Sequence, residues 1–290
     1  MTKRGTVRIG ISGWTYAPWR GVFYPEGLPR KQELHYAATC FRSIEINGTF
    51  YGLQRPKAFA DWYEATPEDF VFAVKGSRYI THMKRLKDVE TPLANFVASG
   101  LLNLRQKLGP ILWQFPPRMK FEPDRFETFL KLLSRNAEEA AALAHRHDSR
   151  LEGRACTHAD FDQPLRHAFE IRHQSFVCRE FLDLLREYGA ALVVADTVEW
   201  PLLMDLTADF VYCRLHGSEE LYVSGYGDNA LSEWAALIRD WRAGKDPPQA
   251  ERVLPASPRR SKGRDVYVYF DNDVKVRAPA DAASLIERLG

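Results

Sequence analysis

Eight short runs rich in β-branched and aromatic residues recur along the chain, each followed by a longer stretch of different periodicity. The runs occupy 7–12, 43–47, 70–75, 111–115, 168–172, 191–196, 210–216 and 266–270. Helical spacing fills the intervals at 31–41, 56–65, 91–108, 123–143, 177–188, 232–242 and 279–289. Pro56, Pro92, Pro123 and Pro279 stand near the predicted helix starts, where a missing N–H leaves nothing unsatisfied. Strands that alternate with helices are joined by crossovers and run parallel. Eight of them without a composition break imply an α/β chain forming a single (β/α)8 barrel of the TIM type over residues 1–290. Irregular loops are expected at its C-terminal face. The interval after the sixth strand is short and interrupted by Pro201, so its helix is the weakest expectation. The polar stretches 144–166 and 244–264 read as surface insertions.

Composition supports a packed core: 45% of the 290 residues are hydrophobic and 27% charged. Forty Lys and Arg against 38 Asp and Glu leave a net charge of +2, so no global field draws the chain to nucleic acid or membrane. Cys40, Cys156, Cys178 and Cys213 have no C-x-x-C spacing, which fits reduced thiols and a cytoplasmic location. No uncharged apolar run approaches the roughly 20 residues of a membrane span.

The chemistry is expected where the strands end. In order, the ends offer Ser12, Glu45 with Asn47, Lys75, Gln114, Glu170 with Arg172, Asp196, Arg214 with His216, and Asp271 with Asn272. Residues two apart on a strand project to the same side, so each pair points the same way. Buried charge is costly unless paired, and nearly every strand accepts that cost at one end. Aromatic residues cluster nearby: Trp14, Tyr16, Trp19, Phe23 and Tyr24 after the first strand, Phe50 and Tyr51 after the second. Such rings either stack on a ligand or pack between loops and helices.

Four groups, Glu45, Glu170, Asp196 and His216, are the candidates for acid–base work. Lys75, Arg172 and Arg214 form a set that can hold an anion or neutralise the acids. Asn47, Gln114 and Asn272 would orient polar groups, with Trp14 and Tyr51 as stacking surfaces. Glu170, Asp196, His216 and Asp271, from four consecutive strands, also suit a divalent metal, although clustered histidines are missing. The basic run 258–264 precedes the eighth strand and belongs to the opposite end of a barrel. No P-loop, dinucleotide fingerprint, G-x-S-x-G or H-E-x-x-H occurs, which removes the main support for kinase, dehydrogenase and serine-hydrolase activity.

Several of these segments resemble one family. Ile9-Gly10-Ile11-Ser12-Gly13-Trp14, Ser43-Ile44-Glu45-Ile46-Asn47-Gly48-Thr49-Phe50-Tyr51 and Phe72-Ala73-Val74-Lys75 are similar to the YecE-like family, named for a domain of unknown function (72). Leu112-Trp113-Gln114-Phe115-Pro116, Phe169-Glu170-Ile171-Arg172-His173, Ala195-Asp196, Tyr212-Cys213-Arg214-Leu215-His216-Gly217 and Tyr269-Phe270-Asp271-Asn272-Asp273 continue the likeness. Where the family commonly has Ser-Trp, this chain has Ser175-Phe176, an aromatic platform without an indole N–H. The resemblance implies a TIM-type barrel and brings no established activity. The expected function is an enzyme on a small polar or anionic ligand: a sugar, sugar phosphate or nucleotide-like molecule. The alternatives are a metal-dependent nucleic-acid phosphodiesterase or lyase, by topological analogy with abasic-site endonucleases, and a non-catalytic binding protein.

Overall fold

The computed structural model describes residues 4–217, 221–247, 251–256, 260, 262–272 and 276–290. Pro258, Arg259 and Ser261 of the basic run, and Asp273 of the last motif, lie outside the described residues. Eight parallel strands close on themselves in sequence order. They are β1 (Val7–Ser12), β2 (Ser43–Ile46), β3 (Val71–Lys75) and β4 (Leu108–Gln114), followed by β5 (His167–Glu170), β6 (Ala191–Asp196), β7 (Phe210–Leu215) and β8 (Asp265–Phe270). β8 seals against β1 in a register running from Val7 opposite Val266 to Ile11 opposite Phe270. Each predicted run falls on a strand, which confirms the TIM-type barrel.

Helices α1 (Glu33–Cys40), α2 (Pro56–Glu64), α3 (Glu90–Ala98), α4 (Pro123–Leu132), α5 (Ala137–Ala144), α6 (Arg179–Glu187), α7 (Asp228–Arg242) and α8 (Arg277–Leu289) pack outside. Two predicted helices are shorter than their periodicity. The pattern over 91–108 breaks after α3 at Gly100, whose φ is 118°. A Cβ there would lie 2.5 Å from the Pro56 Cα, so the chain turns through a glycine and continues as a 3-10 segment, Leu101–Lys107. The pattern over 123–143 splits because Asn136 accepts the Glu139 amide at 2.8 Å and starts α5 as an N-cap. Residues 197–209, between β6 and β7, contain no helix.

The barrel interior is filled by complementary sizes. β3, β5 and β6 contribute Ala73, Ala168, Ala191 and Ala195, while β7 and β8 contribute Tyr212, Tyr267 and Tyr269. The tyrosine rings occupy the room the alanines leave, which is how an interior of this width stays closely packed. Their hydroxyls reach partners across the lumen, as buried phenols must. Tyr269 meets Ser43 Oγ at 2.6 Å, and Tyr212 donates to Glu45 Oε2 at 2.6 Å. Because Ser43 Oγ spends its own proton on the Val71 carbonyl, the Tyr269 hydroxyl is the donor of that pair.

The aromatic loop after β1 packs rather than opens. Trp19 and Tyr24 are buried, and Phe23 stacks on Phe41 at 5.8 Å. Phe176 likewise lies in the core against Phe115 and Phe181, so the expected platform is not exposed.

Candidate functional site

One guanidinium organises the C-terminal end of the barrel. Arg214, on β7, is fully buried, and Glu45, Glu170 and Asp271 surround it from β2, β5 and the end of β8. It holds Glu45 by a two-pronged contact, Nε to Oε2 at 3.1 Å and Nη2 to Oε1 at 3.0 Å. Nη1 donates to Glu170 Oε2 at 2.6 Å and Nη2 to Asp271 Oδ2 at 2.7 Å. Ser12 donates to Glu45 Oε1 at 2.5 Å, and Arg172 Nε donates to Glu170 Oε1 at 2.7 Å. His216 sits beside the cluster, its Nδ1 3.2 Å from Asp271 Oδ2 and its Nε2 3.8 Å from Glu170 Oε2.

This wiring fixes the charges. Burial alone would raise the carboxyl of Glu170, but Arg172 and Arg214 reverse that and hold it well below the usual range. Asp271 is depressed in the same way, burial being outweighed by Arg214 and His216. Both remain ionised, and neither can serve as a proton-donating acid near neutrality.

Above the cluster opens a cleft of about 720 Å³. Lys75, Gln114, Asn47 and Asp271 reach it from strand ends, with Arg172 just past β5. Phe50 and Tyr51 line it from a single helical turn after β2, and Tyr16 from the loop after β1. Arg78, His82 and Met83 come from the segment after β3, and Tyr222 from the segment after β7. The Lys75 ammonium lies 4.4 Å from the Phe50 ring centre, and the residue is 8% exposed. Burial first, and then Arg214, push its pKa down to about 8, against an upward pull from Asp271, Glu45 and Glu170. His82 is pushed down to about 4 by burial, then by Arg172, Lys75 and Arg78, so it is neutral at pH 7.

Two carbonyl oxygens of the cleft, Asn47 Oδ1 and Gln114 Oε1, are buried without a hydrogen-bond partner. The Asn47 orientation follows from its neighbours. Ser12 gives its proton to Glu45, so Ser12 Oγ accepts from Asn47 Nδ2 at 2.9 Å and the Asn47 oxygen is left facing outward.

Most, but not all, of the residues expected from sequence come together. Asn47, Tyr51, Lys75, Gln114 and Arg172 line the cleft. Glu45, Glu170, Arg214 and His216 form the buried layer beneath. Asp196 does not join them. Ala191, Val193 and Ala195 of β6 face the lumen, so alternation turns Asp196 outward, where Tyr226 and Trp234 bond to it and burial raises its pKa. Asn272 also points outward: its amide donates to Asp281 Oδ2 at 2.8 Å, on α8, and to the Ser224 carbonyl at 2.9 Å. Trp14 packs edge-on against Trp62 at 5.5 Å and lines a neighbouring pocket of about 270 Å³; Tyr16 takes the expected place in the main cleft.

Glu170, His216 and Asp271, which with Asp196 also suit a divalent metal, are therefore separated from Asp196 in the structure. Among the described residues no group of three or more His, Cys, Asp or Glu side chains is arranged to hold an ion. Arg214 already engages two of these acids, Glu170 and Asp271. No helix among the described residues is long and apolar enough to cross a membrane.

Arg78, His82 and Met83 were not legible as site residues. They lie in 77–83, a segment without a motif whose last five residues form a π-helical turn, Tyr79–Met83. Directly after it Arg85, Leu86 and Asp88 take φ values of 48°, 66° and 49°, a left-handed run that non-glycine residues rarely adopt. Wide turns and such strain gather at functional sites. The position of this segment just past a strand end was the available signal.

Comparison with known proteins places this architecture in a family. A crystal structure of a DUF72 family protein from Thermotoga maritima superposes with a TM-score of 0.71 at 26% identity, covering 98% of this chain and 99% of that one. A second, from Enterococcus faecalis, shares the fold at a TM-score of 0.65 and 16% identity, covering 100% and 99%. The chain is 28% identical over 116 residues to UPF0759 protein YunF of Bacillus subtilis, covering 38% of this chain and 40% of that protein. It is also 28% identical over 123 residues to UPF0759 protein YecE of Escherichia coli, 38% of this chain and 43% of that protein. The matched stretch spans less than half of each of these two relatives. Residues 8–290 match the family described as "Protein of unknown function DUF72", and the chain belongs to that family.

Proposed function

We propose that the cleft is the active site of an enzyme acting on a small, anionic, hydroxyl-bearing molecule of the sugar-phosphate kind. The observation that carries this reading is a set of unspent groups facing one space. Among the described residues Lys75 enters no ion pair and no hydrogen bond, and beside it Asn47 Oδ1 and Gln114 Oε1 lack donors. Buried polar groups left unpaired cost about 1–3 kcal/mol each, so a ligand that supplies an anion and two hydroxyls recovers that cost on binding.

In this reading Lys75, Arg78 and Arg172 hold the anionic group, away from Asp271, which repels it. Asn47 and Gln114 accept from hydroxyls, and Phe50 and Tyr51 cover an apolar face of the ligand. Glu45 and Glu170, the acid and base expected from sequence, lie beneath the floor with their oxygens occupied by donors. They act as positioning residues for Arg214 and Arg172. Proton transfer falls to groups that reach the cleft: Asp271 as an acceptor only, the phenol of Tyr222 and the neutral imidazole of His82.

The test is ligand-dependent melting with ribose 5-phosphate, glucose 6-phosphate and the corresponding free sugars, followed by NMR of the ligand after incubation. A ligand at 100 times its Kd adds about 2.7 kcal/mol to stability, well within reach of melting curves. The phosphorylated sugars should stabilise the wild type, not Lys75→Met, and the free sugars should not. Equal response to sugars with and without phosphate would defeat the anion assignment. A ligand bound but chemically unchanged would make the chain a binding protein.

A further inference from the structure

Resting on the anionic-ligand reading of the same cleft, we propose that Lys75 is a covalent nucleophile that forms an imine with the carbonyl carbon of an aldehyde or ketone carrying a phosphate. The substrate class narrows from sugar phosphates in general to those that present a free carbonyl, in the manner of a keto- or aldo-phosphate.

The geometry supports covalent chemistry in addition to charge pairing. A lysine that serves only to neutralise an acid is found against that acid. Here the three carboxylates of the site are gathered on Arg214, and Lys75 is left against the face of Phe50. Its ammonium is nearly out of water and close enough to the buried Arg214 to be repelled by it. Desolvation and a neighbouring cation are the two conditions that release a lysine amine as a nucleophile. With its pKa down at about 8, roughly a tenth of Lys75 is the free amine at pH 7, against about one part in 2,500 for an ordinary lysine.

The step balances within the cleft. The Lys75 nitrogen bonds to the carbonyl carbon, and the C–O bond breaks as the oxygen leaves in water. Two of the three ammonium protons leave with that water, and the third stays on the iminium nitrogen. Tyr222 can relay a proton to the departing oxygen. Its hydroxyl oxygen accepts from Arg172 Nη2 at 3.2 Å, which leaves its own proton available, and burial keeps the phenol protonated.

The experiment is reductive trapping on the full chain with two probes, dihydroxyacetone phosphate and pyridoxal 5′-phosphate. Sodium borohydride fixes any imine as a secondary amine, and peptide mass spectrometry maps the lysines. Lys75 should gain the mass of the probe less one oxygen at least about tenfold faster than exposed Lys57 and Lys131, with the rate rising through pH 8. Inorganic phosphate should slow the labelling, and Lys75→Arg should lose it. Labelling of Lys57 and Lys131 with Lys75 untouched by either probe overturns the imine. In that event, melting in inorganic phosphate separates the two readings. Stabilisation of the wild type but not of Lys75→Met leaves the anion site standing with Lys75 as a simple cation. No stabilisation of either removes the anion site as well.

Discussion

Arg214 and Glu45 face each other across the lumen through both carboxylate oxygens, at 3.0 and 3.1 Å, although 169 residues separate them in the chain. The same guanidinium neutralises Glu170 and Asp271, so its removal leaves three buried carboxylates with one fewer cation than they need.

Replacing Arg214 by Leu should therefore destabilise the fold by about 3–5 kcal/mol at pH 7, the range for breaking a buried pair from one side. The deficit should shrink at pH 5, because carboxylates freed of their cation titrate upward and can protonate in place. Arg214→Lys should recover little, since an ammonium cannot reproduce the fork. Urea unfolding of the three proteins at both pH values decides this; a deficit independent of pH would show that the acids are not what the arginine stabilises.

A second prediction concerns acid sensitivity below the barrel mouth. Trp113 Nε1 donates to His167 Nδ1 at 3.1 Å, so the other ring nitrogen carries the proton and faces the Ser134 carbonyl at 2.8 Å. Burial pushes His167 down to about 4, so it is neutral when folded and protonates near 6.5 when unfolded. A folded pKa below the unfolded one means that the unfolded chain binds the extra proton. Stability is then full above about pH 6.5 and falls between there and pH 4, by up to about 1.4 kcal/mol per pH unit. His82 adds to the same trend. His167→Gln should flatten this slope in unfolding measured across pH 4 to 7; an unchanged slope would assign the loss elsewhere.

Gln114 should show a conflict between stability and binding. Its carbonyl oxygen is buried and unpaired, so Gln114→Leu removes a group the empty protein is better without. The variant should melt at the same temperature as wild type or higher, while its affinity for a sugar phosphate falls about tenfold, or about 1.4 kcal/mol. Melting and calorimetric titration report the two halves separately. Destabilisation of the empty protein would mean the oxygen already has its partner.

Gly10 tests the closeness of β1 and β2. A Cβ there would lie 1.8 Å from the Ser43 carbonyl oxygen, a backbone atom that cannot swing aside. Gly10→Ala should cost about 3 kcal/mol, the upper part of the range for overpacking, and Gly27→Ala is the contrast in space, since nothing lies within 4 Å of its Cβ position. The Gly27 variant still bears its φ of 78°, so its smaller loss measures backbone strain alone.

The barrel was legible because its signal is repeated eight times, and errors of one to three residues at the ends of β4 and β5 leave the topology untouched. The site was legible where period-two alternation carried it: Glu45 with Asn47, Glu170 with Arg172, and Arg214 with His216 all project inward. Asp196 and Asn272 were placed on the wrong face because alternation does not say which of two neighbouring residues at a strand end points inward, and sequence alone does not set that parity. On β6 and β8 the inward places fall to Ala195 and Asp271, and the next residue turns away. The pairing of Glu45 and Glu170 with Arg214 was hidden for a different reason. Pairing with Arg214 is a contact between distant strands, and no local pattern reveals that an acid is already satisfied.

The layer around Arg214 also bears on how the chain can be divided. A cut between β4 and β5 leaves Glu45 in one piece and Arg214, Glu170 and Asp271 in the other. Neither half-barrel can close over its own charge, because one holds a stranded acid and the other an arginine ringed on one side only. The two halves are thus complementary in their hydrogen bonds as well as in shape, and ring closure is the event that joins Glu45 to the guanidinium it lacks.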